Sequence, residues 1–298
     1  MIRRIIQPTL FATVLFSCQK ATTTTPDTPR PDPSYLVKTR ISYSYDAAGN
    51  RSADSSLTRW FYDPQNRPVR IISHYSNNFT DTSSYTYSAS QLIADELQYS
   101  PDGLVMSQHN ITYFNSNGFP DSSSIDQYRI DTIGGVSRSF SSSIHTVYYN
   151  DASGNDTMDI SYDLSNGERN QVGKYRRKFI NGKLIKVESF TGLAEIKNYS
   201  SAWANGNMIS DTAWNNQNGT LQYFRAYTYT DVPIGGYDGY QGKESGNLLS
   251  SYTLTMPASS FNCIANYTYT FDDKHRVSTN TQKISYLQGY SLSVYTYY

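Results

Sequence analysis

Four histidines, His74, His109, His145 and His275, are the side chains of this 298-residue chain best suited to proton transfer or metal ligation. They lie far apart, and none has a second ligand at a spacing that a metal site uses. The chain has no H-E-x-x-H pair, no paired-cysteine zinc pattern, no G-x-S-x-G elbow and no phosphate-binding glycine loop. Glutamate is rare. Aspartate lies mainly in turns, where it serves turn chemistry. Two carboxylates can still converge across a sheet, as glycoside hydrolysis needs, but no spacing selects a pair. The residues therefore predict no catalytic group, no cofactor and no metal, and the expected class is non-enzymatic. Asn150-Asp151-Ala-Ser-Gly154-Asn155-Asp156 gathers hard oxygen ligands in the manner of a weak calcium loop. The simpler expectation there is an Asx-rich hairpin turn.

Binding suits the composition better. The stretch 231–249 is Gly-rich, breaks the rhythm of the chain and carries Tyr237 and Tyr240. Long irregular loops on a regular scaffold often carry function. Trp60, Trp203 and Trp214 are the other candidates for stacking on a sugar ring or a peptide side chain. Covering the sheet is the alternative use for all five. Asp131-Thr132-Ile133, Asp156-Thr157-Met158 and Asp211-Thr212-Ala213 resemble the Asp-Thr-apolar O-glycosylation motif of Bacteroidota-type exported proteins, which makes Thr132, Thr157 and Thr212 candidate acceptors. Strand starts produce the same tripeptide.

The first residues predict an address. Arg3 and Arg4 precede a short apolar run, Leu10–Phe16, and then Ser17-Cys18. That is a secretory leader, too short to span a bilayer. Leu15-Phe16-Ser17-Cys18 resembles a bacterial lipobox, which implies cleavage before Cys18 and lipidation of it. Residues 1–17 are then the signal peptide, and 18–37 a Pro/Thr-rich tether. Its Ala21–Ser34 stretch is semi-stiff and reaches roughly 40–50 Å at about 3.1 Å per residue. The expected location is the outer membrane, lipid-anchored, on the cell surface or the periplasmic face. With Cys18 acylated, Cys263 has no partner for a disulfide. Lys+Arg and Asp+Glu number 25 each, so no charge excess points to nucleic acid.

The elements that must position these residues are legible as repeats. Tyr43-Ser-Tyr45-Asp46-Ala-Ala-Gly49-Asn50-Arg51, Phe61-Tyr62-Asp63-Pro64-Gln-Asn66-Arg67, Tyr148-Tyr149-Asn150-Asp-Ala-Ser-Gly154-Asn155 and Tyr269-Thr-Phe271-Asp272-Asp-Lys-His-Arg276 repeat one phrase. Each is a strand ending, a tight turn and a strand beginning. Asp or Asn opens the turn through its side chain, and Gly or Asn closes it where positive φ is cheap. Between turns the chain alternates with period two, as in Tyr85-Thr-Tyr87 and Tyr267-Thr-Tyr269. The spacing predicts strands of about five to eight residues. Aliphatic residues are sparse, but 28 Tyr and 12 Phe can cover a sheet through cross-strand pairs. The prediction is an all-β, antiparallel meander of tandem hairpins over 38–298, forming one long curved sheet or a barrel-like single domain.

The Y-D-x-x-G-N/R phrasing resembles YD (RHS-type) repeats, which form wound hairpin sheets. Tyr229-Thr-Asp231-Val-Pro233, Gly242-Lys-Glu-Ser245-Gly-Asn247, Tyr267-Thr-Tyr-Thr-Phe271-Asp272 and the final Val294-Tyr-Thr-Tyr-Tyr298 resemble Bacteroidota-type lipoproteins carrying a domain of unknown function with a porin-like fold. That resemblance covers most of 38–298 and implies an architecture, not a reaction. His275 departs from it, since the turn there usually has Gly. The functional expectation is a membrane-anchored, non-catalytic binding module for a glycan or protein ligand. The alternatives are a structural envelope protein docking a partner through its sheet and, less favoured, an outer-membrane barrel. The last strand, 290–298, alternates and ends on an aromatic as barrel-insertion signals do. Most strands, however, alternate Tyr with Ser or Thr on both faces.

Overall fold

A computed structural model describes residues 36–133, 136–181, 183–191, 194–233, 247–287 and 289–298. They form eighteen strands in chain order: β1 (Val37–Asp46), β2 (Arg51–Tyr62), β3 (Pro68–Tyr75), β4 (Thr80–Tyr87), β5 (Gln91–Ser100), β6 (Gly103–Phe114), β7 (Pro120–Ile133), β8 (Val136–Asn150), β9 (Asp156–Asp163), β10 (Asn170–Ile180), β11 (Lys183–Thr191), β12 (Ala194–Ala204), β13 (Asn207–Asn215), β14 (Thr220–Pro233), β15 (Asn247–Met256), β16 (Phe261–Phe271), β17 (Val277–Ile284) and β18 (Gly289–Tyr297). Each strand pairs antiparallel with the next, and β1 pairs with β18 from Val37↔Tyr297 to Asp46↔Gly289. The meander is therefore closed into an 18-stranded barrel. Closure removes the open edge that a long curved sheet would expose.

The strands run from 8 to 15 residues, longer than the five to eight that turn spacing suggested. Spacing counts from one sharp turn signal to the next. Polar runs such as Ser122–Ser124 pair as strands because their neighbours supply the ladder. Register shifts beside many turns, such as Phe61/Tyr62, Thr270/Phe271 and Ala202/Trp203, add the local twist that lets a sheet curl shut.

The repeated phrase has a concrete geometry. In the turn after β2, Asp63 Oδ1 accepts the backbone N–H of Gln65 and Arg67, both at 2.9 Å, and Oδ2 accepts Arg67 Nε at 2.7 Å. Asp272 treats Lys274 and Arg276 in the same way, with Arg276 Nε at 2.7 Å. Asp46 and Asp151 open equivalent turns. The fourth residue needs positive φ, which Gly supplies at 49 and 154, Asn at 66 (φ 62) and His275 at φ 60. His275 thus fills the glycine position without changing the turn.

The repeat is a two-strand hairpin, and its signature is an aromatic cap. At the end of the barrel that holds both termini, the last part of each of six even-numbered strands donates to the first part of the odd strand before it. Tyr62 Oη donates to the carbonyl of Val37 (3.0 Å), Tyr87 to Pro68 (2.9 Å) and Trp203 Nε1 to Leu184 (2.8 Å). Tyr229 donates to Met208 (2.7 Å), Tyr269 to Leu249 (2.8 Å) and Tyr297 to Val277 (2.7 Å). Asn150 takes the same place toward Pro120. Each bond satisfies a strand-end carbonyl and contributes about 0.5–1.5 kcal/mol. Turn cations stack on the next cap: Arg67 lies 4.4 Å from the Tyr87 centroid, Lys183 4.6 Å from Trp203 and Arg276 4.4 Å from Tyr297.

The same end carries an apolar cluster of Val37, Trp60, Leu248, Val277 and Tyr295. It draws on β15, β17, β18, β1 and β2, so inner-wall side chains pack across several strands at that end. The backbone N–H of Tyr298 bonds the carbonyl of Leu36 at 3.2 Å, which joins the two ends of the described chain.

Candidate functional site

Period-two alternation sorts the side chains into two walls. Away from the bulges, the buried strand residues all fall on one parity, among them Thr58, Trp60, Tyr85, Asp159, Asp211 and Ala265. Side chains converge on the concave side of a closed sheet, so this parity is the inner wall. Most of its side chains keep partial exposure, which an interior filled by a solid core would not allow.

The outer wall is polar. Asp95, His109 and Asp126 stand in register on β5, β6 and β7, with His109 Nδ1 2.6 Å from Asp95 Oδ1. Lys174, Arg176 and Lys178 of β10 also face outward, while Tyr175 and Arg177 of the same run face inward. Arg59, Arg70, Asp126, Arg176 and Lys283 are exposed on this wall.

The inner wall holds two charged centres. Arg177 Nη1 meets Asp156 Oδ2 at 2.7 Å and Asp159 Oδ2 at 2.5 Å. Burial pushes the Asp156 carboxyl up to about 6; Arg177 opposes the shift, and the neighbouring Asp159 charge adds to it. Burial also raises Asp159, against the pull of Arg177. The second centre is Asp211, whose carboxylate accepts Arg225 Nε (3.0 Å) and Nη2 (2.6 Å) and the Tyr227 hydroxyl (2.7 Å). Burial, more than the Asp211 charge, raises the Tyr223 hydroxyl to about 12 and Tyr227 higher still.

Around Asp211 runs a file of aromatic rings. Tyr199 and Tyr223 have centroids 6.5 Å apart, Tyr227 and Tyr252 6.3 Å, and Tyr252 and Tyr267 6.4 Å. Arg225 spans the middle, 4.8 Å from the Tyr223 centroid and 5.9 Å from that of Tyr227. The file crosses β12, β14, β15 and β16. The inner wall of β1, β2, β3 and β18 is hydroxyl-rich instead, with Ser42 and Ser293 bonded at 2.9 Å and Thr58 and Ser73 at 3.0 Å.

The residues singled out from sequence are not gathered into one place. Trp60 is buried in the apolar cluster at the terminal end. Trp203 spends its indole N–H on the Leu184 carbonyl. Trp214 lies on the outer wall, exposed. Tyr237 and Tyr240 lie outside the described residues, as do Cys18 and most of the loop at 231–249. β14 ends and β15 begins at the terminal end, where Pro233 pairs with Asn247. Thr157 Oγ1 donates to the Tyr149 carbonyl at 2.9 Å, Thr212 faces outward on β13, and Thr132 lies in β7. In the candidate calcium loop, the Asp151 carboxylate is spent on Ser153 and Asn155 of its own turn. Sequence reasoning passed over Tyr199, Tyr223, Tyr252 and Asp211. Tyr-x-Tyr recurs throughout the chain, and nothing local separates a track residue from a cap.

No protein-family model matches the chain, and no curated protein matches it. Among solved structures it is similar to a porin-like protein from Bacteroides uniformis ATCC 8492, at 11% identity over 89% of this chain and 98% of that one, with a TM-score of 0.39. A porin-like protein from Bacteroides vulgatus ATCC 8482 is similar at 9% identity over 88% and 99%, with a TM-score of 0.41. Both likenesses are too distant to carry a residue or an activity across.

Proposed function

We propose that this chain is a non-catalytic binding lipoprotein of the outer membrane, whose barrel stands in water and holds a ligand on its inner wall. The observation that carries the reading is the outer wall. Asp95, Asp126, Arg176 and Glu188 project outward near the middle of their strands. Outward Arg or Lys at a bilayer midplane costs about 2–4 kcal/mol each, and a lipid-facing band would have to bury several charges at once. The hydroxyls of Ser and Thr and the amides of Asn between them add to that cost. Acylation at Cys18 and the tether that precedes β1 then supply the membrane attachment that the wall does not. In this arrangement the barrel is held by its terminal end, and the other mouth points away from the anchor.

Docking of a partner by strand addition is disfavoured, because among the described residues every strand is paired on both sides. The deciding experiment places residues 19–298 behind a leader that is cleaved without lipidation, in the native host. The variant is expected in the aqueous fraction as a folded protein. Retention in the membrane through carbonate washing would mean that the barrel itself is inserted, and would overturn the reading.

A further inference from the structure

We infer that the file of Tyr199, Tyr223, Tyr227, Tyr252 and Tyr267 is the ligand track of the barrel, and that it takes an extended, neutral oligosaccharide. This rests on the reading of the barrel as a water-standing binding protein and names its site.

Three features select the ligand. First, Tyr199 and Tyr223 face each other at 6.5 Å across β13, and Tyr227, Tyr252 and Tyr267 follow at 6.3–6.4 Å on neighbouring strands, with Arg225 spanning the gap between Tyr223 and Tyr227 on β14, so they offer a row of π-faces, not a single pocket. A row suits a chain of flat-faced units. Second, the charge at the middle of the row is paired. Arg225 is held by Asp211 at 2.6 Å, and Asp211 also accepts the Tyr227 hydroxyl, while Lys197 stands on the same wall at the β12 end. An anionic chain would have to pull Arg225 from that carboxylate, and a cationic one would meet Arg225 first. Third, the hydroxyls divide into two kinds. That of Tyr227 is committed to Asp211, which fixes its ring. Those of Tyr199 and Tyr252 have no hydrogen-bond partner among the described residues, although burial raises both above the ordinary tyrosine range. Sheltered, uncommitted hydroxyls beside ring faces match the alternating hydroxyl and C–H surfaces of a sugar. Ser42, Ser56, Ser73, Ser291 and Ser293, elsewhere on the same inner wall, extend the hydroxyl lining.

The test uses the full acylated chain in a sugar-free detergent, titrated calorimetrically with neutral β-1,4- and α-1,4-glucan hexamers. An oligogalacturonate and a proline decamer serve as competing chemistries. At least one neutral hexamer is expected to bind. Tyr199→Ala and Tyr252→Ala are each expected to weaken it roughly 2- to 12-fold, the equivalent of a ring contact of about 0.5–1.5 kcal/mol. Tyr252→Leu, which keeps bulk but loses the π-face, should weaken it similarly. Tyr252→Phe should lose less, and the outer-wall Trp214→Ala nothing. Absence of binding by both neutral hexamers at millimolar concentration overturns the inference. So does preference for the galacturonate or the proline decamer, or affinity unmoved by Tyr199→Ala and Tyr252→Leu. These outcomes leave the aqueous barrel standing, whereas membrane retention of the unlipidated, leader-free chain removes it whatever the titrations give.

Discussion

Arg225 grips Asp211 through two nitrogens, Nε at 3.0 Å and Nη2 at 2.6 Å, on a wall where one flanking tyrosine also gives its hydroxyl to the same carboxylate. Breaking a buried pair by removing one partner costs about 3–5 kcal/mol. Arg225 keeps 38% side-chain exposure, so solvent recovers part of that. Asp211→Ala is therefore expected to destabilise by about 2–3 kcal/mol, read from the urea midpoint. A change below about 0.5 kcal/mol would show that Asp211 does not organise this part of the wall.

The aromatic caps should behave as independent parts. Tyr87→Phe and Tyr269→Phe each delete one hydroxyl that meets a strand-end carbonyl, at 2.9 and 2.8 Å. Each is expected to cost about 0.5–1.5 kcal/mol. The two caps lie on opposite flanks of the β1–β18 seam, so the double variant should equal the sum within about 0.5 kcal/mol. Strong non-additivity would mean that the hairpins do not act as separate units.

Stability should fall as pH rises through the window set by Asp156. Its carboxyl is raised from 3.8 to about 6 in the fold by burial, so the folded chain holds a proton that the unfolded chain has lost. Between those values stability declines with increasing pH, and above about 6 that contribution is gone. Asp156→Asn mimics the protonated form and leaves Arg177 its bond to Asp159. The variant should gain on the native chain as pH rises from about 4 to 7. Parallel pH profiles for the two proteins would sink this account.

Cys263 is buried at 2% exposure on the inner wall, and burial raises its thiol. With Cys18 acylated, it is the thiol left to titrate. A disulfide reagent should modify it rapidly in denaturant and far more slowly in the native barrel. Labelling at equal rates in both states would mean that β15–β17 open readily.

How far the sequence reaches shows in its turns and its tyrosines. Asp63, Asp151 and Asp272 could be read as turn openers from local spacing alone, because an Asx turn needs only the four residues after it. The all-β class followed from the same locality: period-two alternation of Tyr, Ser and Thr is visible within a single strand. The closed count of eighteen was not visible. It depends on β1 meeting β18, a pairing of residues such as Thr39 and Thr296 that no local signal announces. Nor could sequence say which face lies inside. Both faces use tyrosine and hydroxyl residues, so Tyr252, a track residue, and Tyr269, a cap, sit in near-identical phrases. Trp60, Trp203 and Trp214 looked equivalent as letters and occupy a core, a cap and an outer wall. Local chemistry fixed the hairpin. Closure, with the register shifts that accompany it, assigned each side chain to water or to the lumen, because only a closed sheet has an inside.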